Sequence, residues 1–166
     1  KFLISILRGT PLMLQLIVWF YGPYYLFGWR LNAAWRVGAT IVGFSINYAA
    51  YFAEIFRSGI QGIPNGQREA ARVLGYNRTQ TFFKIIFPQM CKRVLPPVTN
   101  EVITLVKDTS LAFTISVLEM FSIAKALASS QTSMIPFVAA GLFYYIFNLV
   151  VAVVMEWIEK KLSYYE

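Results

Sequence analysis

The chain has 166 residues, of which 57% are hydrophobic, 17% aromatic and only 14% charged. Soluble domains hold about 45–50% apolar and about 25% charged residues, so water is not the main solvent here. The net charge of +7 sits in cations clustered between long apolar stretches, which reads as membrane-flanking loops and not as a nucleic-acid surface. One cysteine, Cys91, excludes an internal disulfide, and the absence of histidine removes the commonest general base and metal ligand.

A bilayer crossing needs about 20 residues, or somewhat fewer. The uncharged run between Arg8 and Arg30 predicts a span over residues 9–29, with Gly22-Pro23 as a pair that ends the helix early. Tyr21, Tyr24, Tyr25 and Trp29 form its interfacial belt. Lys1 is not a methionine, and a further segment is expected before it. A second span is predicted over residues 36–57, where Asn47, Tyr51 and Glu54 share a face at helical spacing. Glu54 precedes Arg57 by three residues, the spacing of a helix-end ion pair.

Residues 58–93 are polar and basic, with Arg57, Arg68, Arg72, Arg78, Lys84, Lys92 and Arg93 in or beside them. Pro64 starts a short helix over Gln67 to Leu74, and Gly75 supplies a left-handed C-terminal cap. Asn77, with Gln80 three residues on, forms a capping box for a second helix that ends before Pro88. A third span, 94–118, is interrupted by Glu101, Lys107 and Asp108, and a fourth is predicted over 135–157. With the central segment inside, eleven cations lie on the inner side and three on the outer, so both ends and the 58–93 loop are cytoplasmic. The fold class is therefore all-α: a polytopic membrane helix bundle with a cytoplasmic two-helix loop and four spans visible.

Ionisable residues inside a membrane are costly and point to function. Lys107 lies ten residues beyond Pro97, ~15 Å along a helix and so near the middle of a ~30 Å core. Asn100, Thr104 and Lys107 share one helical face, and Glu101, Thr104 and Asp108 an overlapping one. A helix break at Asp108-Thr109-Ser110 would turn backbone dipoles toward a cavity. The stripe suits a zwitterion whose ammonium meets Asp108 and whose carboxylate meets hydroxyls or Lys107; a structural ion pair is the competing reading. Asn47, Tyr51 and Glu54, with Thr109 and Ser110 at the break, complete the path.

Glu69-Ala70-Ala71, Gly75, Ile85, Phe87 and Pro88 stand at the spacing of the EAA loop and resemble the permeases of ATP-binding-cassette importers, with Phe87 in place of the usual leucine. Arg8-Gly9-Thr10-Pro11, Ala53-Glu54-Ile55-Phe56-Arg57, Gly62-Ile63-Pro64-Asn65-Gly66-Gln67 and Lys107-Asp108-Thr109-Ser110-Leu111 are similar to the polar amino acid branch. The resemblance implies a five-span permease subunit of the bacterial cytoplasmic (inner) membrane, the fifth span expected before Lys1, working with two ATP-binding subunits, a second permease subunit (identical or homologous), and an extracytoplasmic solute-binding protein. It implies that Glu69, Ala70, Ala71 and Gly75, flanked by Arg68 and Arg72, couple to the ATPase. No glycine is followed by lysine, so the chain lacks a phosphate-cradling G-x-x-x-x-G-K-[ST] loop; no cofactor is expected in it, and ATP-Mg belongs to the partner. The alternatives are an ion- or proton-coupled carrier using Lys107 and Asp108, which leaves residues 63–93 unexplained, and a non-transporting scaffold, for which mid-membrane charges serve no purpose.

Overall fold

Helix α1, Phe2–Gly9, and helix α2, Leu12–Phe27, are separated by Thr10 and Pro11 and meet at a bend of 105°. The computed structural model describes residues 2–162; Lys1, counted above among the inner cations, lies outside them. Helix α2 does not end at Gly22-Pro23. It continues to Phe27 and stops at Gly28, whose φ of +67° suits glycine. Proline deprives one carbonyl of its donor, which a helix survives when neighbours re-satisfy the local backbone. Here Trp35 Nε1, from the next helix, donates to the Phe20 carbonyl at 3.1 Å, one residue beyond the Trp19 carbonyl that Pro23 leaves without its helical donor.

Helix α3, Ala33–Gln61, spans about 44 Å and is capped by Asn32, whose side chain accepts the Trp35 N–H at 2.7 Å. Helix α4, Asn65–Val73, ends in a Schellman turn: Gly75 has φ +77°, its N–H reaches the Arg72 carbonyl, and the Tyr76 N–H reaches the Ala71 carbonyl, both at 3.0 Å. Asn77 and Gln80 then bond each other's backbone as a capping box at the head of α5, Arg78–Thr81.

The second helix of the loop does not end before Pro88. A π-helical turn, Phe82–Ile86, carries it into α6, Phe87–Asp108, with Pro96 and Pro97 also inside. The π turn shifts the bonding register just where Pro88 offers no N–H, so the lost bond falls where the ladder is already rearranged. After Asp108 the helix tightens into a 3₁₀ segment, Thr109–Ile115, closed by Ser116 at φ +61°. Residues 119–134, expected between two spans, contain helix α7, Met120–Gln131, capped by Glu119 and turned 61° from the preceding rod. Helix α8, Ile135–Leu162, packs on α6 and α7.

Among the described residues, α3 and α8 are long and apolar enough to cross a bilayer. The bent pair α1–α2, and the 78–115 rod with α7, bring the number to four if each is one span. Two apolar cores hold the bundle. Leu12, Leu16 and Phe20 of α2 meet Ala39 and Tyr48 of α3 and Ile115 of the 3₁₀ segment. Gly43 makes room for the fully buried Leu16, since a Cβ there would lie 2.8 Å from Leu16 Cδ2. Ile63, Ile86, Met90 and Val94 form the second core, where Gly59 of α3 sits against Val94 so closely that a Cβ would overlap it.

Candidate functional site

The bend between α1 and α2 leaves helix-end carbonyls that a membrane interior cannot solvate. Gln15, buried in an otherwise apolar helix, answers them: its Nε2 donates to the Leu7 carbonyl at 2.7 Å and to Thr10 Oγ1 at 2.8 Å. Its Oε1 accepts from Nδ2 of the buried Asn47 on α3 at 3.1 Å. The network fixes the bend, and the bend turns Arg8 back toward α3. The Arg8 guanidinium lies over the Tyr51 ring, 5.2 Å from its centroid.

A groove runs between α1, α3 and α6. Its largest chamber, about 480 Å³, is walled by Arg8, Thr10, Asn47, Tyr48, Tyr51, Glu101, Thr104 and Asp108. Tyr48 donates from its hydroxyl to Asp108 Oδ2 at 2.8 Å, which fixes the carboxylate. A chamber of about 390 Å³ adjoins it, with Glu54, Gly62, Arg93 and Glu101 in its wall, and another of about 460 Å³ contains Glu54 and Arg57. Arg8 and Tyr51 belong to all three walls. Glu54 and Arg57 are ion-paired, and Arg93 donates to the Gly62 carbonyl.

Of the path residues named from sequence, the structure brings together Asn47, Tyr51, Glu54, Thr104 and Asp108. Asn100, Lys107, Thr109 and Ser110 line none of these chambers. The reason is angular: the α6 face that meets the groove carries Glu101, Thr104 and Asp108, and a neighbouring residue points about 100° away. Lys107 is exposed and makes no ion pair among the described residues. Ser110 and Thr109 donate their hydroxyls to the carbonyls of Lys107 and Val106 at 2.8 and 2.7 Å. Thr109 instead borders a separate apolar pocket of about 440 Å³ with Glu119 and Tyr144. Arg8, Gln15 and Tyr48, which line or brace the groove, were left off the path by sequence reasoning, while Glu101 stood in its polar stripe. A lone glutamine among apolar residues and an arginine before Gly9-Thr10-Pro11 were the available signals.

Beside the groove, α4 projects from the second core. Glu69, Ala70 and Arg72 are exposed and Arg68 is half-buried. Ala71 is fully buried against its own chain, so the outward surface is Glu69, Ala70, Val73 and Leu74, the last two 89% and 72% exposed. Arg68, Arg72 and Arg78 border a pocket of about 310 Å³ together with Tyr76 and Phe82.

An all-helical membrane chain with a charged groove and a capped, outward-facing helix is a transport permease. Residues 1–164 match the family described as binding-protein-dependent transport system inner membrane component, and the chain belongs to it. It is 36% identical to the arginine transport system permease protein ArtQ of Bacillus subtilis, over 98% of this chain and 73% of that protein. It is 37% identical to the octopine transport system permease protein OccM of Rhizobium radiobacter, over 95% of this chain and 68% of that one. The crystal structure of an amino acid ABC transporter with histidines superposes with a TM-score of 0.84 at 30% identity, covering 96% of this chain and 73% of that one. The inward-facing MetNI methionine ABC transporter, at TM-score 0.79 and 18% identity over 96% and 72% of the two chains, shares the fold. The chain is thus a permease subunit of the ATP-binding-cassette importer class.

Proposed function

We propose that this permease carries polar amino acids inward across the bacterial cytoplasmic (inner) membrane. The observation that carries the reading is the groove wall, where one guanidinium (Arg8), two carboxylates (Glu101 and Asp108) and the hydroxyls of Tyr48, Tyr51 and Thr104 face one chamber. A zwitterion needs both signs of charge within a few ångströms, and a purely apolar or single-sign wall would reject it. The names of the arginine and octopine relatives agree with such a cargo. The spans 9–29, 36–57, 94–118 and 135–157 cross the membrane, and residues 58–93 face the cytoplasm.

Coupling is assigned to α4 and its turn. Glu69, Ala70 and Gly75, with Arg68 and Arg72 beside them, seat in a groove on one of two ATPase subunits. Ala71 supports the helix from beneath. ATP-Mg is bound and hydrolysed on those partners; a second permease subunit completes the pathway, and an extracytoplasmic solute-binding protein delivers the cargo. The test is uptake by vesicles holding the assembled transporter. Glu69→Lys and Gly75→Val should each reduce uptake to background while the permease still inserts, and undiminished uptake in both overturns the coupling. Uptake by vesicles lacking the ATPase subunits is the outcome that an ion-coupled carrier demands; the comparisons lend that alternative no support.

A further inference from the structure

Among the described residues, Arg8 is the single cation in the wall of the 480 Å³ chamber, where two carboxylates stand with it. We propose that Arg8 holds the carboxylate of the cargo as it crosses this chamber. The proposal rests on the amino acid transport reading above.

Three observations support the assignment. First, Lys107, the other cation near this depth, is exposed on a different face of α6 and lies outside the chamber wall. A cargo carboxylate must find a positive group there, because Glu101 and Asp108 repel it. Second, the guanidinium is free to bind. Its Cζ lies over the Tyr51 ring, 5.2 Å from the centroid, and no ion pair engages it among the described residues. Five donors in a planar fork match the two oxygens of a carboxylate. Third, the position is built. Leu7 and Thr10, on either side of Arg8, are tied down by Gln15, and Gln15 is tied to Asn47, so the base of the side chain cannot drift. Asp108, held by the Tyr48 hydroxyl in the same wall, is the counterpart for the cargo's ammonium. Because Arg8 borders all three chambers, the grip lasts through passage from one to the next.

Binding is measured on the assembled transporter without its solute-binding protein, using radiolabelled L-arginine and L-glutamine and the methyl ester of each. The ester removes the carboxylate charge and leaves the rest of the molecule in place. The native assembly should bind each acid at least about 10-fold more tightly than its ester, the scale of one charge-assisted contact. Arg8→Gln should lower the acids to the level of the esters and leave the esters unchanged, while Arg8→Lys keeps part of the preference. Equal binding of acid and ester by the native assembly overturns the assignment. So does Arg8→Gln that weakens both alike, the result of a purely structural arginine, or Arg8→Gln that takes up the acids at the native rate. A native assembly that neither binds nor imports any amino acid of the panel brings down the transport reading, and this assignment with it.

Discussion

Gln15 shows how much one polar side chain decides in an apolar chain. It satisfies Leu7 and Thr10 at the helix break and pairs with Asn47 across to α3. A buried polar group left without its partner costs about 1–3 kcal/mol. Gln15→Leu leaves the Leu7 carbonyl and the Asn47 amide only their long 3.4 Å contact with each other, so the thermal midpoint of the purified transporter in detergent should fall and uptake with it; an unchanged midpoint would remove Gln15 from this role. Gly75 is the second such residue. At φ +77° a side chain meets the following carbonyl at a cost of about 1–2 kcal/mol, more for a β-branched residue. Gly75→Asn should therefore retain more uptake than Gly75→Val. The Gly75 turn and the Asn77 capping box were legible from sequence because their partners lie within a few residues. The role of Gln15 was not, because its decisive partner is 32 positions away.

At the scale of elements, one rod runs from Arg78 through the π turn and α6 to Ile115. It joins the segment beside α4 to Asp108 in the groove wall without an intervening loop, through a π turn and three prolines. The expected stop before Pro88 hid this continuity; a proline read alone signals an end, and only the adjoining π turn shows how the helix passes it. The rod is clamped to α3 where Gly59 meets Val94 and where Arg93 reaches the Gly62 carbonyl. Overpacking such a contact costs about 1–3 kcal/mol. Gly59→Ile should separate α3 from α6 and lower the yield of monodisperse transporter on gel filtration, with Gly59→Ala affected less. Equal yields for Gly59→Ile and the native chain would show that the crossing tolerates the bulk.

For the molecule as a whole, two surfaces are apolar and exposed, and they call for different neighbours. Helix α8 shows Leu142, Ile146, Val150, Val153 and Trp157 to its surroundings, as expected of a face against acyl chains. The tip of α4 shows Val73 and Leu74 in a polar, arginine-rich setting, where lipid is an unsuitable cover and a protein groove a suitable one. Val73→Asp together with Leu74→Asp should cut co-purification of the ATPase subunits at least about tenfold, a loss of ~1.4 kcal/mol or more, while insertion persists. Retention of the ATPase in full would move the docking surface elsewhere on the loop.

What the sequence determined by itself was the helical membrane class, the family and the caps of the turn after α4, since apolar runs, motif spacing and capping chemistry depend on residues close along the chain. Which side chains line the groove was decided only by tertiary structure. Arg8 enters the groove through a 105° bend, Asp108 is held by a tyrosine 60 positions away, and Lys107, its immediate neighbour, lies outside the chamber. Periodicity assigns residues to faces of a helix, but the packing of other helices chooses which face lines the path.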